Sequence, residues 1–284
     1  MIRRESYFKI INEFIDTSFI KIFTGIRRSG KTTLLFSVVD ELKNRGISED
    51  NIFYISFESL KYQNITDSVS LNDLILDLIG NVEGKVYLLF DEIQLVDGWE
   101  KSINGLHADF SCDIYITGSN SMLLSGEYAT LLSGRYIQIN VYPFSFKEVL
   151  EYKEKVDNIE ITDNIERQLF DEYLEFGGMP GLLELSSSIA KHEALNDIYA
   201  SIVYNDILGR YPIRKADLFK RFSNYIMNTM GETFSSKSIT SYLKNEVEET
   251  SRNTILNFTN YIENAFFISK IRREDLIGKK ILKT

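Results

Sequence analysis

One cysteine, Cys112, stands in 284 residues, so no disulfide can close within the chain, and a lone thiol fits a reducing compartment. The two histidines, His107 and His192, have no other metal-ligand residue types near them at ligand spacing, which argues against a zinc centre. No apolar run approaches the roughly 18 residues needed to cross a bilayer. The opening MIRRESYFKIINEF alternates charge and bulk like an amphipathic helix and carries no signal-type apolar block. Internal repeats, low-complexity tracts and an N-K-x-D guanine-reading motif are also missing. These absences lead to the expectation of a cytoplasmic protein with no membrane partner, and of ATP rather than GTP if a nucleotide is bound.

What is present is ample material for packed cores, with 44% hydrophobic residues and 13% aromatics. The net charge of −9 is unevenly placed. Residues 210–284 hold 14 Lys/Arg against 8 Asp/Glu, a balance of +6, which leaves −15 on the first 209. An acidic body with a basic last quarter points to different partners for the two parts.

Five apolar runs read as strands: FIKIFT (19–24), NIFYISF (51–57), KVYLLF (85–90), DIYITG (113–118) and YIQINV (136–141). Helical patterns at 31–45, 71–80 and 99–110 fall between them. The strands are apolar throughout rather than alternating, as expected where helices cover both faces of a parallel sheet. This is the signature of a doubly wound α/β fold. Past Pro143 the pattern becomes helical, opened by the capping-box spacing of SFKE (145–148) and interrupted at FGGMPG (176–181). We expect three parts: a nucleotide-binding core at 1–142 that includes an N-terminal helix over 1–17, a helical lid at 143–211, and a last domain at 212–284.

Between the first strand and the first long helix lies GIRRSGKT (25–32), which fits G-x-x-x-x-G-K-[ST] in the strand-to-helix context that gives the pattern meaning. Glycines let backbone N–H groups approach phosphate oxygens, and a helix N-terminus adds positive potential. Gly25, Arg28, Ser29, Gly30, Lys31, Thr32 and Thr33 are therefore the candidate ATP-binding residues. Lys31 is expected at the β/γ-phosphates and Thr32 on Mg²⁺. The run KVYLLFDEIQ ends a buried strand in Asp91 and Glu92, suited to the Mg²⁺ shell and to activating a water. After the fourth strand, Thr117, Ser119 and Asn120 are placed to meet the γ-phosphate or that water. Glu58, after the second strand, is a candidate nucleotide sensor or a solvated acid. Arg135, before the last strand, is either an arginine finger acting in trans or a surface or sheet-capping cation.

The set GIRRSGKTT, LLFDEIQ, YITGSNSMLLS, LLSGRYIQINVYPFSFKEVL and FGGMPG resembles a family of prokaryotic AAA+ ATPases known mainly as ATP-binding proteins. The resemblance spans essentially the whole chain and is most specific over 116–150. It implies a P-loop NTPase sheet in the order 5-1-4-3-2, a helical lid, a winged-helix segment, and a nucleotide site near subunit boundaries in a homo-oligomer. It also assigns Asp91 to the metal shell, Glu92 as catalytic base, Ser119 or Asn120 as first sensor, and Arg135 as arginine finger. Where relatives carry a second sensor arginine this chain offers FGGMPG without a cation, Arg210 being the substitute candidate. By the same resemblance the family's C-terminal domain of unknown function is expected to be absent from this chain, whose last stretch, LIGKKILKT, stands about where family members enter it.

The basic last segment reads as helix, turn, helix, strand. Ser235 or Ser236 is the expected cap of the first helix, and Ile255, Phe258 and Ile262 form the inner face of the second. Arg252, Asn253, Asn257 and Asn260 then lie outward, suited to phosphates or base edges. FFISKI and the residues after it read as a wing carrying Arg272, Arg273, Lys279 and Lys280. DNA and a protein partner both stay open for this module: the cations suit DNA phosphates, whereas EVEE (246–249) would repel DNA. The resulting expectation is a Mg²⁺-dependent ATP hydrolase acting as a switch or remodeller, with a non-hydrolysing ATP-bound regulatory protein as the alternative.

Overall fold

A computed structural model describes residues 2–80, 82–119, 132, 134–246 and 250–271, the side chains of 243–246 excepted. The chain divides into two compact units, Met1–Ile198 and Tyr199–Thr284.

In the first unit, β1 (Ile20–Thr24), β2 (Ile52–Ser56), β3 (Val86–Asp91), β4 (Cys112–Gly118) and β5 (Tyr136–Asn140) form one sheet in the order β2-β3-β4-β1-β5, all pairs parallel. This is the expected order. Helices α1 (Glu5–Phe14), α2 (Lys31–Asn44), α3 (Ser68–Ile79) and α4 (Trp99–Asp109) cover it. Successive strand residues divide between two cores. Ile22, Leu88, Phe90, Ile114 and Ile116 pack with α3 and α4. Phe23, Leu89, Tyr115 and Ile139 pack with α1 and α2. Both faces are thus dry, which is why these strands show no polar alternation.

One charged residue breaks the apolar rule. Lys21 of β1 is fully buried and its ammonium pairs with Asp113 of β4. Asp113 also accepts from the Tyr115 hydroxyl and the Asp16 N–H, both at 2.9 Å, and the Lys21 ammonium donates to the Phe19 carbonyl at 3.0 Å. Burial pulls Lys21 below its usual range despite the opposing pull of Asp113.

After β5 the chain enters helices α5 (Phe146–Lys155) and α6 (Asp163–Phe176), and then α7 (Ser188–Ser201). Ser145 caps α5 in a reciprocal box with Glu148, as the sequence spacing requires. A small core of Ile2, Phe144, Val149 and Leu183 holds α5 and α6 together. The approach of the two segments depends on Gly178. Its carbonyl accepts from Phe144 N–H at 2.7 Å, and a Cβ there would lie 1.9 Å from the Phe144 carbonyl oxygen.

The second unit contains a π-helical turn (Ile202–Leu208), α8 (Ala216–Asn228), α9 (Ser236–Glu246) and α10 (Arg252–Asn264). Ser235 accepts from Ser238 N–H at the start of α9, and Ser251 accepts from Thr254 N–H at the start of α10. Ile255, Phe258 and Ile262 are buried, and the Phe258 ring meets Phe219 and Phe222 of α8 at 5.2 and 5.7 Å. The expected strand in FFISKI is absent among the described residues. Phe266 instead adopts φ 56° in the turn closing α10, and the Phe267 ring packs on Tyr199 at 5.7 Å. Among the described residues no helix is long and apolar enough to cross a membrane.

Candidate functional site

The ends of β1, β3 and β4 converge at one edge of the sheet, where parallel α/β folds place their ligands. Gly25 leaves β1 with φ 149°, and Val141 N–H donates to the Thr24 carbonyl at 2.6 Å beside it. A Cβ on Gly25 would sit 2.2 Å from the Val141 carbonyl oxygen, so no other residue fits that turn. Arg28 follows at φ 65° with its side chain exposed, and Gly30 at φ 94° starts α2 without any side-chain cap. The first turn of a helix has no intrahelical carbonyl for its N–H groups, and no side chain caps them here. Ser29 is fully buried, with its Oγ unpartnered among the described residues. Lys31 is buried and its ammonium donates to the carbonyls of Gly25 and Ile26 at 3.0 and 3.1 Å. Thr32 and Thr33 are half-buried in the first turn.

Across the sheet edge, Asp91 is buried and collects three hydroxyls. Thr32 Oγ1 lies 3.0 Å away, Tyr54 Oη 3.0 Å and Thr117 Oγ1 2.5 Å. The Thr32–Asp91 contact joins the loop to the β3 end, which is the pairing expected of residues sharing a metal shell. Glu92 follows at φ 55°, in the left-handed region. Its N–H donates to Thr117 Oγ1 at 2.9 Å, and its carboxylate accepts from the Gln94 amide. Thr117 thus departs from the expected phosphate contact. Its hydroxyl is fully buried and holds the Asp91–Glu92 turn instead. Ser119 is buried next to it, its Oγ unpartnered among the described residues, while Asn120 lies outside the described residues.

Charge at this edge is mixed. Partial burial and then the nearby Glu92 carboxylate push the Glu58 carboxyl above its usual range, with Arg27 and Lys31 opposing. Arg135 is exposed and donates to Asn104 Oδ1 of α4, while its carbonyl accepts from Ile20 N–H at 2.8 Å. From the lid side, Pro180 of FGGMPG lies 3.8 Å from where a Gly30 Cβ would stand. In the second unit, Arg210 is held by buried Asp206 at 3.0 Å, and Arg252 and Asn257 are exposed on α10. Arg252 Nε also donates to Ser236 Oγ at 3.0 Å. Arg272, Arg273, Lys279 and Lys280 lie outside the described residues. Burial pushes the Cys112 thiol up to about 11, so it stays protonated at neutral pH.

Sequence reasoning missed Tyr54, which lies inside an apolar strand and reads only as core. Its phenol is held well above the ordinary value by partial burial, then by the Asp91 charge. Tyr54→Phe should destabilise the fold by about 1.5–3 kcal/mol at pH 7, the range for a hydrogen bond to a charged group. A raised phenol pKa stabilises the fold below the unfolded value, and that share is lost as pH rises past about 10. The gap between wild type and Tyr54→Phe should therefore narrow above pH 10 in chemical denaturation followed by circular dichroism.

The strand order, the glycine-built loop and the acid pair at the β3 end define a P-loop nucleotide-binding fold of the AAA type. In agreement, an AAA-domain family matches residues 17–150. A domain of unknown function (DUF8612) matches residues 167–283. The resemblance implies that the family's C-terminal domain of unknown function is absent; the domain of unknown function matched here lies inside the chain. An uncharacterized protein of Haemophilus influenzae is 40% identical over 284 residues, covering 100% of this chain and 70% of the relative. The chain belongs to the family of that protein. The uncharacterized protein MJ1544 of Methanocaldococcus jannaschii is 33% identical over 269 residues, or 92% of this chain and 59% of the relative. Among solved structures, AMPPCP-bound DnaA from Aquifex aeolicus aligns with a TM-score of 0.49 at 16% identity, covering 93% of this chain and 89% of that one.

Proposed function

We propose that the chain binds ATP with Mg²⁺ and hydrolyses it, driving a nucleotide-controlled switch. The observation that supports this most is the contact between Thr32 of the glycine-rich loop and Asp91, with Glu92 next in sequence. The donor set fits the ligands. The left-handed Gly30, the unpartnered buried Ser29 and Ser119 hydroxyls and the buried Lys31 ammonium suit phosphate oxygens. A hydroxyl beside a carboxylate suits a hard cation.

In this reading Gly25, Arg28, Ser29, Gly30, Lys31, Thr32 and Thr33 form the phosphate cradle. Thr32 and Asp91 would hold Mg²⁺, which when bound neutralises charge on the phosphates. Glu92 takes the proton of the attacking water, with Thr117 fixing its backbone. Ser119 and Asn120 orient the γ-phosphate, and Arg135 serves a neighbouring subunit in a homo-oligomer. The exposed Arg252 and Asn257 would contact DNA or protein in a winged-helix-like module, and Arg272, Arg273, Lys279 and Lys280 are the further cations this reading assigns to that partner. A second reading, ATP kept as a bound cofactor, is supported by Pro180 at the lid turn in place of a cation.

Phosphate release measured over a range of protein concentrations, with and without DNA, separates the readings. Turnover that rises per molecule with concentration supports hydrolysis with Arg135 acting in trans. ATP bound without turnover supports the second reading.

A further inference from the structure

Arg4 precedes α1 and has no role in any motif, yet it is only 6% exposed and its guanidinium makes five hydrogen bonds. Its guanidinium forks onto Glu148 of α5, Nε to Oε1 at 2.7 Å and Nη2 to Oε2 at 3.1 Å. It also donates to the carbonyls of Tyr142 at 2.9 Å, Pro143 at 3.3 Å and Ser29 at 3.4 Å. Its charged plane lies over the rings of Tyr7 and Phe144, 4.5 and 5.0 Å from their centroids. Glu148 is held in turn. Burial raises its carboxyl, but the Arg4 hydrogen bond and the Ser145 N–H outweigh that and keep it below its usual range.

One cation therefore grips three pieces of chain: the phosphate loop at Ser29, the exit of β5 at Tyr142 and Pro143, and the first lid helix at Glu148. The grip on Ser29 has a geometric corollary. A trans peptide is planar, so its C=O and the following N–H point to opposite sides. Drawing the Ser29 carbonyl towards Arg4 turns the Gly30 N–H away from Arg4. Gly30 N–H is one of the donors that a phosphate cradle requires.

We infer that Arg4 is a positioning residue of the nucleotide site, which presets the Ser29–Gly30 peptide for phosphate and ties the lid helix to that setting through Glu148. The inference rests on the ATP-binding reading given above. It makes nucleotide affinity, rather than the chemical step, the quantity that Arg4 controls. Lysine cannot replace it, because a single ammonium cannot fork onto a carboxylate while donating to three carbonyls.

The test is titration of the full chain with a fluorescent ATP analogue and Mg²⁺, beside steady-state kinetics and nucleotide-free thermal unfolding. Arg4→Met should weaken nucleotide binding by about tenfold or more. Arg4→Lys should recover only part of that loss, and Glu148→Gln, which retains an acceptor for Arg4, should weaken binding by about threefold. For all three, kcat at saturating ATP should stay within about twofold of wild type. If the variants unfold at lower temperature but bind the analogue within twofold of wild type, Arg4 is a structural staple and the inference fails. Full recovery by Arg4→Lys would also overturn it. Failure of the wild type to bind the analogue would instead sink the nucleotide reading, and this inference with it.

Discussion

Lys31→Ala should lower the affinity for Mg·ATP by at least about 100-fold, to the point where calorimetric titration records no heat. The lysine ammonium lies buried against the carbonyls of Gly25 and Ile26, inside the loop whose amides are to receive the phosphates. Charge-assisted hydrogen bonds to phosphate in such a setting are about twice as strong as neutral ones. A hundredfold loss corresponds to about 2.7 kcal/mol, within reach of one such group. The fold should survive, because alanine suits the first turn of α2. Unchanged heat would show that the loop does not bind phosphate.

Glu92→Gln should give the opposite profile, with ATP bound at wild-type affinity and turnover reduced by about 10²–10⁴-fold, the span assigned to a positioned general base. The amide can still accept from Gln94 and leaves the Glu92 N–H on Thr117, so the turn geometry is preserved. What disappears is the capacity to take a proton. Burst and steady-state phosphate release, measured beside analogue binding, reads both halves of the expectation. Retained turnover would move the base elsewhere, with Glu58 the first place to look, since its carboxyl already feels the Glu92 charge.

How far sequence alone reached follows from the range of the interactions involved. Strands flanked by helices run apolar on both faces, so β1 to β5 could be placed to within a residue or two. The glycine-rich loop is equally local: Gly25 and Gly30 are required by backbone conformation within six residues of each other. Side chains that act across the sheet are another matter. Tyr54 looks like core until β2 is registered on β3, which pairs Ser56 with Asp91 and brings the phenol to the carboxylate. Thr117 stands at a strand end with Ser119 and Asn120, where sequence places all three towards the γ-phosphate or the attacking water, whereas burial turns its hydroxyl onto Asp91. Arg4 meets Glu148 across 144 positions, and no periodicity encodes that. In the basic segment, β-rich composition in FFISKI gave way to the turn that closes α10, which seats Phe267 on Tyr199.

The ion pair between Lys21 and Asp113 bears on the edge of the sheet that carries the glycine-rich loop, although it sits near the opposite end of the strands. Sliding β1 against β4 by one residue would pull the ammonium off its carboxylate and turn it onto the wrong face, stranding two unneutralised charges in a dry interior. Uniformly greasy neighbours offer little to forbid such a slip, so this polar pair acts as a ruler that fixes where both strands finish. Thr24 and Gly118 then end level with each other, and the phosphate loop leaves the sheet alongside Ser119.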